Sequence, residues 1–262
     1  MTHREQFLRK CLVIDTETTN VDYKEAEVIE MGYVIRQDGK WETTEKLYKP
    51  HKEIPPDCSA VNNISNKMVE KCPYFEDDVE MYKELFSQQM GEDYIMIAHN
   101  AFYDQNVLNN YGFSFPNSLS TLRIVKKLFP VDSGIANYKL AYLRYYMGIL
   151  DPADFPELVN THRAGFDALV AAHLLEKCLD FMETKGIIDT NLPYYEQIEK
   201  FLMTPVQVVN MPFGKHKGKP LKDVPLDYWR WAVANMNCLD EKSTEYDADL
   251  SYSINKIFEE ML

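Results

Sequence analysis

The strongest constraint in this sequence is a hydrophobic run that leads directly into two acidic residues. The run at 11–14 has the composition of a buried strand, and Asp15 and Glu17 follow it at alternate positions. Alternate residues of a strand project from the same face of a sheet, so the two carboxylates are expected side by side. Because an unpaired charge is costly to bury, this strand end requires either solvent or a bound cation. Two solvated acids at a strand end are the simpler alternative.

Later segments predict an α/β fold with a mixed sheet flanked by helices. Strands are predicted at 11–15, 27–36, 41–48, 94–98 and 119–122. Helices are predicted at 65–70, 77–90, 123–129, 138–147 and 165–184, and a further helix carries Val107, Leu108 and Tyr111. The Asp38-Gly39 pair between the second and third strands is a strong hairpin signal. Strands joined by tight turns, followed by alternating strands and helices, favour a mixed sheet.

The amino-acid composition changes towards the C-terminal part of the chain. Residues 205–222 contain four lysines and no acidic residue, and a short aromatic helix follows them. We therefore predict a first domain at 1–185, a connector at 186–204 and a small basic and aromatic module at 205–262.

Composition narrows the class of protein. The chain has 262 residues, of which 45% are hydrophobic and 26% charged, and this is typical of a globular protein. No apolar run is long enough to span a bilayer, and the polar N-terminal segment lacks the apolar core of a signal peptide. The five cysteines are scattered without a CxxC pair, so neither a disulfide framework nor a zinc site is indicated. We expect a cytoplasmic protein with reduced thiols and no membrane partner.

Two more acidic segments occur at the edges of predicted buried elements. His99, Asn100 and Asp104 lie where a short strand leads into a helix, which is a common place for sites in α/β sheets. Helix capping by Asn100 is the structural alternative. His162 and Asp167 lie at the start of the long apolar helix. A histidine beside an aspartate is more often a structural pair than a catalytic one.

The combination of three segments is more specific than any one of them. Glycoside hydrolysis requires only two carboxyl groups, whereas this chain offers four with a histidine. Two divalent cations would use all four carboxylates and promote hydrolysis of a phosphodiester. A neutral histidine could accept the proton of the attacking water.

In order and spacing, these segments resemble the DEDDh 3′→5′ exonucleases, the DnaQ-like group with a ribonuclease H-like fold, over residues 10–184. The tail, from Phe201 to Trp231, resembles the C-terminal segment of one branch of that family. The resemblance implies that Asp15, Glu17, Asp104 and Asp167 bind two Mg²⁺ or Mn²⁺ ions, with Asp15 shared by both. It also implies that His162 is the general base. Candidate contacts to the terminal nucleotide are Thr18, His99, Asn100 and Phe102.

The implied substrate is the 3′ end of DNA, single- or double-stranded, trimmed to 5′-mononucleotides. An exoribonuclease or a polymerase proofreading subunit could use the same residues, because the motifs do not separate DNA from RNA. A catalytically inactive nucleic-acid-binding adaptor is the second alternative, although every expected ligand position is filled. The oligomeric state is left open.

The net charge of −13 opposes binding to nucleic acid, so a local basic surface is required. Lys215, Lys217 and Lys219 provide one, and we predict that they contact nucleic acid. The neighbouring Trp229 and Trp231 are expected in the core of the small module.

Overall fold

The computed structural model describes residues 1–130, 134–153, 163–243 and 247–260. His162 lies outside these described residues. The chain divides into two compact units, one formed by Met1–Leu128 with Asn137–Glu199 and the other by Phe129–Ala136 with Lys200–Leu262. The domain boundaries proposed from the sequence, at 185 and 205, stay predictions.

A five-stranded mixed sheet organises the first unit. Its strands are β1 (Cys11–Thr18), β2 (Val28–Gln37), β3 (Lys40–Leu47), β4 (Ile95–Ala98) and β5 (Asn117–Ser120), in the order β3-β2-β1-β4-β5. The first three strands pair antiparallel, whereas β4 pairs parallel to β1 and β5 pairs parallel to β4. The predicted mixed sheet is therefore confirmed. Thr121 begins a helix, so the fifth strand ends earlier than the sequence pattern indicated.

The hairpin between β2 and β3 forms where it was predicted. Asp38 and Gly39 have φ angles of 47° and 77°. Positive φ at both central residues is the geometry that Asp-Gly favours in two-residue hairpins.

Helices cover both faces of the sheet. They are α1 (His3–Arg9), α2 (Pro56–Asn62), α3 (Asn66–Val69), α4 (Val79–Met90), α5 (Ala101–Asn109), α6 (Thr121–Leu128), α7 (Leu140–Tyr146), α8 (Ala164–Thr184) and α9 (Tyr194–Leu202). Three of them, α1, α2 and α9, were not predicted. Helix α9 lies within the expected connector, and its residue Tyr194 is buried with its ring 6.0 Å from that of Phe7.

Alternation along β1 separates the two faces of the sheet. Leu12 and Ile14 belong to a core cluster with Tyr82 and Phe86 of α4 and Leu108 of α5. The odd-numbered residues of β1, which include the two acids, point to the opposite face. Helix α8 packs on that face against β1, β2 and β3. The carboxylates of β1 therefore face the helix that carries Asp167.

The second unit has its own hydrophobic core. Helices α10 (Leu226–Asn235) and α11 (Ala248–Glu260) contribute to it. Trp229 is 1% exposed, which confirms its predicted core position, but the same prediction for Trp231 is wrong because that side chain is 52% exposed. Two residues advance a helix by about 200°, so the two side chains point in nearly opposite directions. Among the described residues, none of the helices combines the length and hydrophobicity needed to cross a membrane.

Candidate active site

Three predicted site residues come together at the edge of the sheet. Carboxylate oxygens of Asp15, Glu17 and Asp167 lie within 4.8 Å of one another. Two of them stand on β1 and the third in the first turn of α8. The cluster thus joins residues that are about 150 positions apart in the sequence.

A glycine in β2 brings α8 close to the sheet. Gly32 pairs with Asp15 in the strand register. A Cβ atom at Gly32 would lie 2.1 Å from the carbonyl carbon of Ala164 and 2.2 Å from the backbone nitrogen of Gly165. No side chain fits at this distance, so the absence of a Cβ at Gly32 is required for the approach of α8. The approach places Asp167 beside Asp15.

A buried acid in β2 binds the start of the same helix. Glu30 is fully buried, and its Oε1 accepts hydrogen bonds from Arg163, at 2.8 Å from Nε and 2.5 Å from Nη2. Its Oε2 accepts a hydrogen bond from the backbone N–H of Ala164 at 2.9 Å. The carboxylate therefore caps α8 and neutralises the arginine. It also stands opposite Glu17 in the strand register.

Asp104 is held by β1 through Thr16. Its Oδ1 accepts hydrogen bonds from the backbone N–H of Thr16 at 3.0 Å and from the Thr16 hydroxyl at 2.8 Å. Asp104 is not part of the close set of three within the described residues. It lies near enough to raise the pKa values of Asp15 and Glu17 by repulsion. Asp104 therefore lies near the two acids of β1, with which it was grouped in the sequence analysis.

The electrostatics of the cluster disfavour four free negative charges. Burial, then repulsion from Asp104, Asp167 and Glu17, raise the pKa of Asp15 well above its usual range. Burial and repulsion from Asp167 raise the pKa of Glu17 to about 8. Burial raises the pKa of Asp104 to about 6, although the hydrogen bonds from Thr16 oppose that rise. Either protons or a cation must offset this charge near neutral pH.

The donor set fits a hard divalent cation. Mg²⁺ and Mn²⁺ prefer oxygen ligands, and the cluster offers carboxylate oxygens at mutual distances that one ion can bridge. A cation would also relieve the repulsion that raises the carboxyl pKa values. Asp15, Glu17 and Asp167 are therefore the residues that could hold a metal ion.

A cleft of about 490 Å³ opens beside the carboxylates. Its lining includes Glu17, Thr18, Asn100 and Tyr103. The hydroxyl groups of Thr18 and Tyr103 lie 2.5 Å apart, and Tyr103 also donates to the backbone carbonyl of Asn20. Two of the predicted substrate contacts, Thr18 and Asn100, thus lie on the wall of one cleft.

The two remaining predicted contacts in this region differ from each other. Phe102 is 66% exposed, and its ring meets that of Tyr23 edge-on at 5.6 Å. His99 is bound within the protein, because its Nδ1 lies 2.9 Å from the Thr121 hydroxyl and its Nε2 lies 2.8 Å from the carbonyl oxygen of Tyr138. Burial lowers the pKa of His99. Its geometry is that of a structural residue between β4 and α6.

Several residues of the site were not found from the sequence. They are Thr16, Glu30, Gly32, Tyr103 and Arg163. A buried glutamate within the hydrophobic run of β2 was the one visible signal, since an acid in a central strand must have a partner. Its partner Arg163 follows 133 positions later, and no local pattern relates the two.

The sequence is similar to those of known exonucleases. The sequence profile of the exonuclease family RNase_T matches residues 12–175. Exodeoxyribonuclease 10 of Escherichia coli is 28% identical over 233 residues, covering 87% of this chain and 92% of that protein. The 3′-5′ exonuclease DinG of Staphylococcus haemolyticus is 30% identical over 70% of this chain, but the match spans only 19% of DinG. A second profile, named for a quorum-sensing-regulated virulence factor, matches residues 199–236.

A solved structure shows the same fold. Exonuclease X in complex with 5′ overhanging duplex DNA superposes with a TM-score of 0.53 and 26% identity, covering 73% of this chain and 99% of that one. The mixed five-stranded sheet flanked by helices is that of a ribonuclease H-like exonuclease. The chain therefore belongs to the exonuclease family RNase_T and is a DEDDh, DnaQ-like 3′→5′ exonuclease.

Proposed function

We propose that this enzyme hydrolyses the 3′ ends of DNA, releases 5′-mononucleotides and uses two divalent cations. The observation that carries the proposal is the approach of Asp15, Glu17 and Asp167 to within 4.8 Å. Their mutual repulsion and burial make a cation the natural counter-charge. DNA is favoured as substrate because the similar exodeoxyribonuclease is named for DNA and the similar exonuclease structure contains duplex DNA.

Each carboxylate has a distinct place in the proposed site. Asp15 belongs to the close set of three, and we assign it to both cations on the strength of the family resemblance. Glu17 and Asp167 complete the set, and Asp104 contributes from α5 while Thr16 fixes one of its oxygens. Bound Mg²⁺ or Mn²⁺ would supply positive charge for the phosphate oxygens and the departing 3′ oxygen.

The cleft beside Glu17 is proposed to hold the terminal nucleotide. Thr18 and Asn100 supply polar groups on its wall, and the exposed ring of Phe102 offers a stacking surface nearby. The hydroxyl of Thr18 contacts Tyr103 and the carbonyl oxygen of Asn20, and these contacts hold its side chain in one orientation. A side chain held in place can help to orient the scissile bond.

His162 is proposed as the general base on the strength of the family resemblance. It directly precedes Arg163, which Glu30 binds at the start of α8. A neutral imidazole near pH 7 can accept the proton of the attacking water. His162→Ala should therefore lower kcat strongly and leave the metal concentration for half-maximal activity nearly unchanged. An equal loss of metal affinity would assign His162 to metal binding instead.

A time course on DNA labelled at either end tests the function directly. Single- and double-stranded DNA would be incubated with Mg²⁺, with Mn²⁺ or with EDTA, and products separated by length. Stepwise shortening from the 3′ end that requires a metal is expected, with 5′-mononucleotides as product. Asp15→Asn should abolish cleavage, whereas Asp93→Asn, at an exposed acid paired with Lys10, should cleave at the native rate.

RNA with the same sequence serves as the competing substrate. Much faster trimming of RNA than of DNA would replace the deoxyribonuclease assignment with an exoribonuclease one. Endonucleolytic products, or activity that survives in EDTA, would contradict the proposed site. The cytoplasmic location stays a prediction.

A further inference from the structure

A short basic turn in the second unit is built to one defined shape. Gly218 donates a backbone hydrogen bond to Met211 at 2.8 Å, and Met211 donates one to Lys219 at 2.8 Å. Gly214 and Gly218 have φ angles of 69° and 81°, which favour glycine. These two hydrogen bonds close the segment from Met211 to Lys219, which we name the basic turn. Lys215, Lys217 and Lys219 lie at alternate positions within it.

These lysines carry charge that no carboxylate in the described part of the chain neutralises. Lys215, Lys217 and Lys219 are all exposed. Within the described residues, no carboxylate lies within ion-pairing distance of any of them. On a chain with a net charge of −13, such a cluster is a local exception that favours an anionic partner.

Aromatic rings continue the surface from the turn. The ring of His216, between two of the lysines, meets the ring of Tyr228 at 4.6 Å and an interplanar angle of 81°. The ring centroid of Tyr228 lies 5.6 Å from that of Trp231, and the side chain of Trp231 is 52% exposed. Burial and the charges of Lys215 and Lys219 lower the pKa of His216, so this ring adds aromatic surface at neutral pH. We name His216, Tyr228 and Trp231 the aromatic shelf.

The core of the unit does not explain the exposure of Trp231. Trp229 fills the interior and donates its Nε1–H to the carbonyl oxygen of Leu221 at 3.2 Å. Trp231 points away from that core and leaves half of its large apolar surface in water. An exposed tryptophan beside unpaired lysines is the combination that sequence-independent binders of single strands use, with cations for phosphates and rings for bases.

We propose that the basic turn and the aromatic shelf together bind single-stranded DNA, with the lysines on the phosphates and Trp231 stacked on a base. The choice of DNA rests on the proposed function, but binding by this surface does not require cleavage. A protein partner with acidic side chains would satisfy the lysines and leave the shelf without a role, so a polynucleotide accounts for more of the surface.

Binding would be measured on the full chain carrying Asp15→Asn, in EDTA, so that no strand is cut. The probe is a fluorescein-labelled 20-mer of thymidine, titrated at several salt concentrations. Lys215→Ala/Lys217→Ala/Lys219→Ala should weaken binding and reduce the slope of log affinity against log salt by about 2, since each phosphate contact contributes about 0.7. Trp231→Ala should weaken binding by about tenfold with the slope unchanged.

Matched controls separate the surface from general charge and from folding. Lys40→Ala/Lys67→Ala/Lys71→Ala removes three exposed lysines of the first unit and should leave affinity and slope unchanged. Trp231→Phe should restore most of the affinity lost in Trp231→Ala. An abasic 20-mer should bind to the protein about tenfold more weakly than the thymidine 20-mer does. Its affinity should be the same with Trp231 in place as in Trp231→Ala, because it has no base to stack. Thermal unfolding of every variant checks that the second unit remains folded.

Several results would overturn the proposal. Equal effects of the two triple variants would reduce the lysines to general charge. If the abasic strand bound as tightly as the thymidine strand, base stacking would play no part in binding. If polyglutamate bound equally well, the surface would be a general binding site for polyanions. Failure of the proposed function would appear as absence of metal-dependent trimming by the native enzyme, an activity of the first unit. Failure of the present proposal would appear only in the strand-binding measurement, so the two outcomes are distinguishable.

Discussion

Arg163 donates two hydrogen bonds to one oxygen of Glu30, and the other oxygen of Glu30 accepts the backbone N–H of Ala164. The first turn of α8 is thereby bound to β2 near the start of that strand. Asp167 belongs to that turn, whereas Glu17 lies opposite Glu30 in the sheet. One buried carboxylate therefore holds the helix that carries Asp167 against β2, the strand that pairs with β1 and its two acids.

Replacing Glu30 should damage both stability and activity. Glu30→Gln leaves Arg163 without its buried counter-charge, so we expect a loss of about 2–3 kcal/mol in the free energy of unfolding. Displacement of α8 should also lower kcat by roughly 10- to 100-fold. Glu45→Gln is the control, because Glu45 binds the same arginine at 2.9 Å but is 38% exposed. We expect it to cost less than about 1 kcal/mol, and equal losses in the two variants would contradict a special role for Glu30.

The hydroxyl of Thr16 should matter through Asp104. Thr16→Val keeps the size of the side chain but removes the hydroxyl that donates to Asp104 Oδ1 at 2.8 Å. We expect the metal concentration for half-maximal activity to rise by roughly 10- to 100-fold, as when a group that orients a metal ligand is removed. Thr16→Ser retains the hydroxyl and should behave nearly as the native enzyme. Failure of serine to rescue would show that the methyl group, rather than the hydrogen bond, is what matters.

Gly32 should tolerate no side chain. A Cβ atom there would lie 2.1 Å from the backbone of Ala164, so Gly32→Ala must push α8 away from β2. We expect a destabilisation of about 1–3 kcal/mol together with a fall in kcat, measured by chemical denaturation and by 3′-end trimming. Thr44→Ala, on the exposed side of β3, should change stability by less than about 0.5 kcal/mol. A stable, fully active Gly32→Ala variant would refute the close approach.

Stability without metal should fall as the pH rises. Folding raises the pKa of Glu17 from 4.5 to about 8 and also raises that of Asp15, so the folded state holds protons that the unfolded state releases. The free energy of unfolding in EDTA should therefore be largest below about pH 4.5 as far as these groups are concerned, and this contribution should be lost between pH 4.5 and 8. Thermal denaturation across that range measures it.

Two changes should flatten the same pH dependence. Mg²⁺ at saturating concentration supplies the missing counter-charge, and Asp15→Asn removes one of the repelling acids. Both should raise the melting temperature most at pH 8 and least at pH 5. An identical pH profile for the native protein and Asp15→Asn in EDTA would show that the carboxylates do not repel one another as the geometry requires.

Local patterns in the sequence predicted the elements that present the site. Alternation along β1 placed Asp15 and Glu17 on one face, and Asp-Gly predicted the turn between β2 and β3. The apolar periodicity of 165–184 predicted α8 almost to its ends. These features depend on residues a few positions apart, where covalent geometry determines which side chains share a face.

Other features depended on contacts between distant residues. His99 is held between Thr121 and Tyr138, and no local sequence pattern indicates these two partners. The sequence therefore could not distinguish a structural role of His99 from the predicted contact with substrate.

Helix α1 is short, and Phe7 and Leu8 are its buried residues. Helix α9 does carry an apolar stripe, since Tyr194 and Ile198 lie one turn apart and are both buried, but that stripe was assigned to a connector. The two helices are stabilised where Phe7 meets Tyr194, and tertiary packing of this kind overrides local propensity.

The sequence by itself determined the class of chemistry, because four acids in a defined order at the ends of buried elements are consistent with few functions. Only the tertiary structure decided which carboxylate oxygens lie close together. Asp167 reaches Asp15 because Gly32 has no side chain to hold α8 away from the sheet and because Glu30 binds the start of α8. The physical reason is that a periodic pattern specifies the direction of a side chain relative to its own element. The distance between two elements is set by the atoms packed between them.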